Sequence, residues 1–134
     1  MKTLFSQAYG EILHDEDGNF FIMNWTGNCD EENYKKFWNT LYDLILQNNI
    51  YKLIIDQRSI GNVAMQSRAW FLIKWVPKAK RVRSEFTCAV IASKHIFHST
   101  GVHYLISGAK KLTNYEIVLF QSTDEAVTYL RNKK

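Results

Sequence analysis

Apolar residues recur along the chain with two different spacings, and the switches between them mark out its elements. Strand-like segments at residues 11–14 and 20–26 flank Asp15-Glu16-Asp17-Gly18-Asn19. Asp-Gly favours a turn with positive φ, which predicts a β-hairpin. Tyr34, Phe37, Trp38, Leu41, Leu44 and Ile45 then follow at helical spacing and lay one apolar stripe against a sheet. Asp30 is placed to cap that helix, Glu31 and Glu32 suit its positive end, and Asn48-Asn49 ends it. Leu53-Ile54-Ile55 is a short continuous apolar run, as expected of a central strand covered on both faces. Residues 56–62 are predicted to form a polar loop containing Gly61, and residues 64–76 a second helix. Pro77 lacks an N–H and disfavours helix before it, so a break or kink is expected there. Residues 86–92 read as a buried strand and 97–109 as a third helix, weakened by Gly101 and Gly108. Residues 115–120 form the last strand. Ser122 and Glu125 fit a capping box before a final helix carrying Ala126, Val127 and Leu130. The order β-β-α-β-α-β-α-β-α predicts an α/β fold with a mixed five-stranded sheet and helices packed on its faces.

Composition sharpens this picture. A chain of 134 residues with 46% hydrophobic and 14% aromatic residues, six Gly and one Pro is expected to form one packed domain over 1–134. The N-terminal apolar run stops at Phe5, short of a secretory segment, and no stretch is long enough to span a bilayer. Cys29 and Cys88 are not placed to form a disulfide framework, so a reducing cytoplasm is the expected setting. The net charge of +4 is concentrated in a patch at Lys74, Lys78, Lys80, Arg81 and Arg83, with Arg131, Lys133 and Lys134 at the end. That pattern argues against a nucleic-acid binder, which shows a more basic stripe.

A set of residues in this order resembles the SpoIIAA-like branch of the STAS domains, proteins related in fold to bacterial anti-sigma-factor antagonists. The likeness runs from about Ile12 to Leu130. Its best-marked part is the strand Leu53-Ile54-Ile55 ending in Asp56-Gln57-Arg58. Next come an aromatic-rich helix with Trp70 and Trp75-Val76-Pro77, the strand Cys88-Ala89-Val90-Ile91, and Phe97 opening a further helix. The resemblance implies a five-stranded sheet, no cofactor, and action by docking onto a partner. Some relatives are switched by phosphorylation of a Ser near the second helix. The Asp-Ser-[Ser/Thr]-Gly pattern of those proteins is replaced here by Asn62-Val63-Ala64-Met65-Gln66-Ser67, which leaves Ser59 and Ser67 as the hydroxyls closest to a modification site.

Candidate chemistry is sparse. His95, His98 and His103 are close in sequence and His14 is distant, but no Cys, Asp or Glu lies between Ser93 and Tyr115 to complete a metal shell. No metal site is expected. Cys88 is placed inside a strand, where a thiol is inert; Cys29, near a helix N-terminus, is expected to have a lowered pKa. No glycine-rich phosphate cradle occurs. Asp56 and Arg58 stand at a strand's carboxyl end, either as a ligand anchor or, the favoured reading, as an ion pair that fixes the loop.

The second helix is the oddity. Ala69, Trp70, Phe71, Leu72, Ile73, Trp75 and Val76 go almost all the way round the helical wheel, whereas a helix packed on a sheet needs one stripe. Something beyond its own sheet is expected to cover it: another copy of the chain, another protein, a lipid, an apolar ligand, or neighbouring helices of the same domain. The sequence therefore predicts a non-enzymatic interaction domain, homodimeric, with Trp70, Phe71 and Trp75 as anchors and Lys74, Lys78 and Arg81 steering the approach. The alternative is a carrier of a lipid or apolar small molecule.

Overall fold

A computed structural model describes residues 1–97 and 100–133. His98 and Lys134 lie outside the described residues. Six strands form one sheet in the order β1-β2-β3-β4-β5-β6: β1 (Lys2–Gln7), β2 (Gly10–Asp15), β3 (Phe20–Gly27), β4 (Lys52–Ile60), β5 (Thr87–Ile91) and β6 (Glu116–Phe120). The first three strands run antiparallel, and β3 to β6 run parallel. The expected α/β fold with a mixed sheet is present, with one correction: the sheet has six strands, not five. The extra strand is β1, an edge strand whose residues are exposed except for half-buried Leu4 and Phe5. Two apolar residues in six leave almost no alternation to read. Pairing with β2 supplies the order that the pattern lacks.

The hairpin turn closes as expected but not on its glycine. Asn19 takes the left-handed conformation at φ 54°, while the Asp15 carboxylate accepts the Gly18 N–H at 3.2 Å. Asp15 is buried and also accepts from Arg131 Nε and Nη2, both at 3.2 Å, tying the turn to the last helix. Burial works against its charge, but Arg131 and the Gly18 N–H outweigh it and hold the carboxyl below its ordinary value of 3.8. With the folded pKa below the unfolded one, the pair contributes fully above about pH 4 and is lost as pH falls through the folded value. Acid unfolding should therefore be less steep in Asp15→Asn than in the wild type. Parallel acid limbs, followed by circular dichroism, would remove this role.

Helix α1 (Glu31–Asn48) begins at Asp30, whose carboxylate accepts the Asn33 N–H at 2.8 Å, and ends at left-handed Asn49. Tyr34, Phe37, Trp38, Leu41 and Ile45 are buried, and Leu44 is half-buried against the same core. Three further segments follow one another without a break: α2 (Met65–Trp70), a π-helical turn (Phe71–Trp75) and α3 (Val76–Val82). Every junction residue keeps right-handed helical angles, so the chain does not break at Pro77. The π-turn is the reason. The Val76 N–H reaches back five residues to the Phe71 carbonyl, and this widened turn stands immediately before the proline. Then come α4 (Lys94–Phe97), α5 (Thr100–Leu112) and α6 (Thr123–Arg131), the last capped by Ser122 as predicted.

Strand order advances in one direction from β3 to β6, so right-handed crossovers deliver α1, α2–α3 and α5 to the same face. The larger core forms there, from Met23, Trp25, Leu53, Ile55 and Val90 with the helices' apolar sides. Helix α6 covers the other face, where Ala126 and Leu130 meet Phe20, Ile22, Ile54, Ala89 and Ile91. Leu53, Ile54 and Ile55 thus lie in a strand buried on both faces.

Candidate functional site

The frame of the site is the carboxyl end of β4. Asn24 stands opposite Asp56 but Thr26 stands opposite Ser59, so β4 carries one extra residue there. Through this bulge the strand continues to Ile60, where a loop was expected from residue 56. Polar residues do not stop a strand whose backbone stays paired with a neighbour. The Gly61 N–H donates to the Gly27 carbonyl at 2.7 Å, and the Asn62 N–H to Asn28 Oδ1 at 2.8 Å. A Cβ on Gly61 would overlap Asn28 Oδ1 and come within 2.8 Å of the Gly27 carbonyl carbon, so the chain leaves the sheet through a position that only glycine fits.

Alternation along β4 sends its polar residues to opposite faces. Asp56 and Arg58 turn toward α6 and form a two-pronged pair, Nη2 to Oδ2 at 2.7 Å and Nε to Oδ1 at 3.0 Å. Arg58 Nη2 also donates to Thr123 Oγ1 at 2.7 Å, fastening the bulge to the start of α6. These contacts tie the end of β4 to α6. Gln57, between them, turns to the helix-rich face and is 7% exposed.

The aromatic helix finds its cover at home. Phe71 and Trp75 are buried, with ring centres 4.2 and 4.9 Å from that of Trp38. Trp75 Nε1 donates to the Trp38 carbonyl at 2.8 Å. As surface anchors these two residues are a correction, because α1 and the sheet already occupy the faces they would offer. Trp70 is half-buried, edge-on to Tyr34 at 6.4 Å with Lys35 over its ring. On the opposite flank α5 approaches closely. A Cβ on Gly108 would meet Leu72 Cδ1 at 2.7 Å, and one on Gly101 would meet Arg68 Nη1 at 2.5 Å. Gly108, one of the two glycines that weaken α5 as an isolated helix, lets it close against Leu72 of the second helix. Outward there remain Met65 and Ile73, 61% and 66% exposed, with Lys74 and Arg81. Lys78 is held by Asn39 Oδ1 at 3.2 Å and by the Tyr42 ring, and Lys80 by the Leu112 carbonyl.

Between β4, α1, α2 and α5 lies a pocket of about 230 Å³, walled by Tyr34, Gln57, Arg68, His95, Val102 and Leu105 and by the β4–α2 loop. Arg68 is half-buried in this wall, and none of the ion pairs among the described residues involves it. Among the described residues no carboxylate belongs to the wall. Burial pushes the Tyr34 phenol up to about 12 against the pull of Arg68, so it stays a neutral hydroxyl. Gln57, Val102 and Leu105 also wall an apolar cavity of about 60 Å³ beneath α5. A second apolar cavity of about 50 Å³ shares Trp38, Ile55, Phe71 and Cys88 with the first. Sequence reasoning missed Arg68 and Gln57. The available signals were a charge within an otherwise apolar helix and the alternation that turns Gln57 away from its neighbours.

The other candidates separate cleanly. Burial, then the Asp30 charge, push the Cys29 thiol up to about 11, the reverse of the lowering expected at a helix start. Cys29 lies before the cap with an anion beside it, so the helix dipole does not prevail. Burial alone pushes Cys88 up to about 12. Ser67 is fully buried and its hydroxyl has no hydrogen-bond partner among the described residues, so it is not an accessible modification site; Ser59 is exposed. His14 packs on the Phe21 ring, with Nε2 3.4 Å from Asn19 Oδ1. Among the described residues no three His, Cys, Asp or Glu side chains converge, and no helix is long and apolar enough to cross a membrane.

No protein-family model matches the chain, and no curated protein matches it significantly. Among solved structures it is similar to a protein of the DUF3478 family from Shewanella loihica PV-4, whose crystal structure is described as having a SpoIIAA-like fold. The two share 18% sequence identity with a TM-score of 0.62, over 90% of this chain and 91% of that one. The six-stranded sheet with its helices therefore has a SpoIIAA-like fold.

Proposed function

We propose that this chain is a non-enzymatic regulatory domain that acts by binding, with the pocket beside Arg68 as its ligand site. One observation carries the reading: an arginine without an acidic partner among the described residues stands in the wall of a 230 Å³ pocket at the carboxyl end of a parallel strand. That is where sheets of this kind commonly receive ligands. Both thiols have raised pKa values, which suits binding better than covalent chemistry. Two free cysteines also suit a cytoplasmic setting. A thermal-shift screen of small metabolites tests the proposal. Hits should raise the melting temperature of the wild type and leave that of Val102→Trp, which fills the pocket, unchanged. A screen without such hits would overturn it.

A second reading is docking of another protein, most simply a second copy, on the outward side of α2–α3. Exposed Ile73 and Met65, beside Lys74 and Arg81, favour it. A lipid carrier is less well supported, because the apolar cavities of about 60 and 50 Å³ are smaller than the ~150 Å³ that holds one benzene.

A further inference from the structure

We infer that the pocket takes a small monocarboxylate bearing a short apolar tail, with the carboxylate on Arg68 and the tail between Val102 and Leu105. The inference rests on the reading of the pocket as a ligand site and names the ligand's chemical class. The head group follows from the charges. Arg68 offers a planar fork of N–H donors that matches a carboxylate with two parallel hydrogen bonds. With no acid among the described residues of the wall, no carboxylate there competes for that fork. The guanidinium lies beside Gly101, in the seam between α2 and α5. Among the described residues His95 is the other basic side chain in the wall, and they form no glycine-rich cradle of N–H groups there. One fixed cation suits one negative charge, whereas phosphate groups are held by several donors at once.

The tail follows from what lies behind. Val102 and Leu105 face both the polar pocket and the apolar cavity under α5, so a chain anchored at Arg68 and passing between them leaves water for apolar walls. That inner cavity is lined by Trp38, Ile55, Phe71 and Ile117 among others, and its volume of about 60 Å³ limits entry to a few carbon atoms. Gln57, buried at the junction, has an amide able to meet the head group or a polar atom near it.

The test is a ¹⁵N chemical-shift titration of the full chain with hexanoate, hexan-1-ol and acetate, which separate head from tail. Hexanoate should move the amides of Gln57, Gly61, Val102 and Leu105 and bind about tenfold more tightly than either of the others. Arg68→Gln should lose about tenfold for hexanoate and nothing for hexan-1-ol, with Arg68→Lys in between. The same spectra report whether each variant is folded. Equal binding of hexanoate and hexan-1-ol, unaffected by either Arg68 variant, would overturn the carboxylate assignment while leaving the pocket a ligand site. Acetate binding as tightly as hexanoate would overturn the tail. If the pocket amides respond to none of the three probes, the inference fails; whether the ligand-site reading fails with it is decided by the metabolite screen against Val102→Trp.

Discussion

Trp75→Ala is expected to destabilise the fold by about 3–5 kcal/mol while leaving the molar mass of the folded protein at the wild-type value. Trp75 is 4% exposed, lies 5.3 Å from Phe71 with ring planes 18° apart, and packs on Trp38 at 4.9 Å. Truncation opens a large cavity in the aromatic layer between α1 and the π-turn. It also deprives the Trp38 carbonyl of its 2.8 Å donor. A domain with 5–15 kcal/mol of total stability notices such a loss. Urea unfolding followed by tryptophan fluorescence measures it, with light scattering for the mass. The control is Ile73→Asp on the same turn. At 66% exposure it should change stability by only about 0.5 kcal/mol. If the chain is a dimer through the outward side of this helix, Ile73→Asp is the variant that halves the mass. Unchanged stability with lost association in Trp75→Ala would return that residue to the docking role.

Gly10→Ala, the addition of a single methyl group, is expected to cost about 2–3 kcal/mol through overpacking. Gly10 is buried on β2 opposite Trp25. A Cβ there would overlap the Asn24 carbonyl oxygen and lie 2.5 Å from Phe37 Cε2. Neither neighbour can retreat. Asn24 is held in the β2–β3 ladder, and Phe37 is fully buried with its ring edge-on to Trp25 at 4.6 Å and to Tyr9 at 5.3 Å. The urea midpoint should fall with no change in slope. Phe37→Leu in the same chain should recover part of the loss, so that the two substitutions are not additive. A midpoint equal to the wild type's would show that the hairpin yields at this point.

Much of this architecture was legible because it depends on near neighbours in the chain. Asp30 and Ser122 cap helices through N–H groups three residues away, and Asn49 ends α1 through its own conformation. The apolar stripe of α1 and the run Leu53-Ile54-Ile55 announce one-sided and two-sided burial by spacing alone. Where the simple patterns were overruled, either an irregular turn or pairing with another element was responsible. Pro77 follows a widened turn that a strict helical reading does not anticipate, and β1 is a strand only because β2 lies beside it.

The sequence by itself thus determined the α/β class, most of the element order, the caps and the central strand, since each rests on interactions within a few residues. Only the tertiary structure decided what covers the second helix. Its all-round apolar surface is equally consistent with a partner and with α1, the sheet and α5, and a helical wheel holds no information about what lies outside it. The pocket was likewise decided in three dimensions. Tyr34, Gln57, Arg68 and Leu105 come from four separate elements, brought together by one-way strand order and by the close approach of α5 to Leu72 at Gly108.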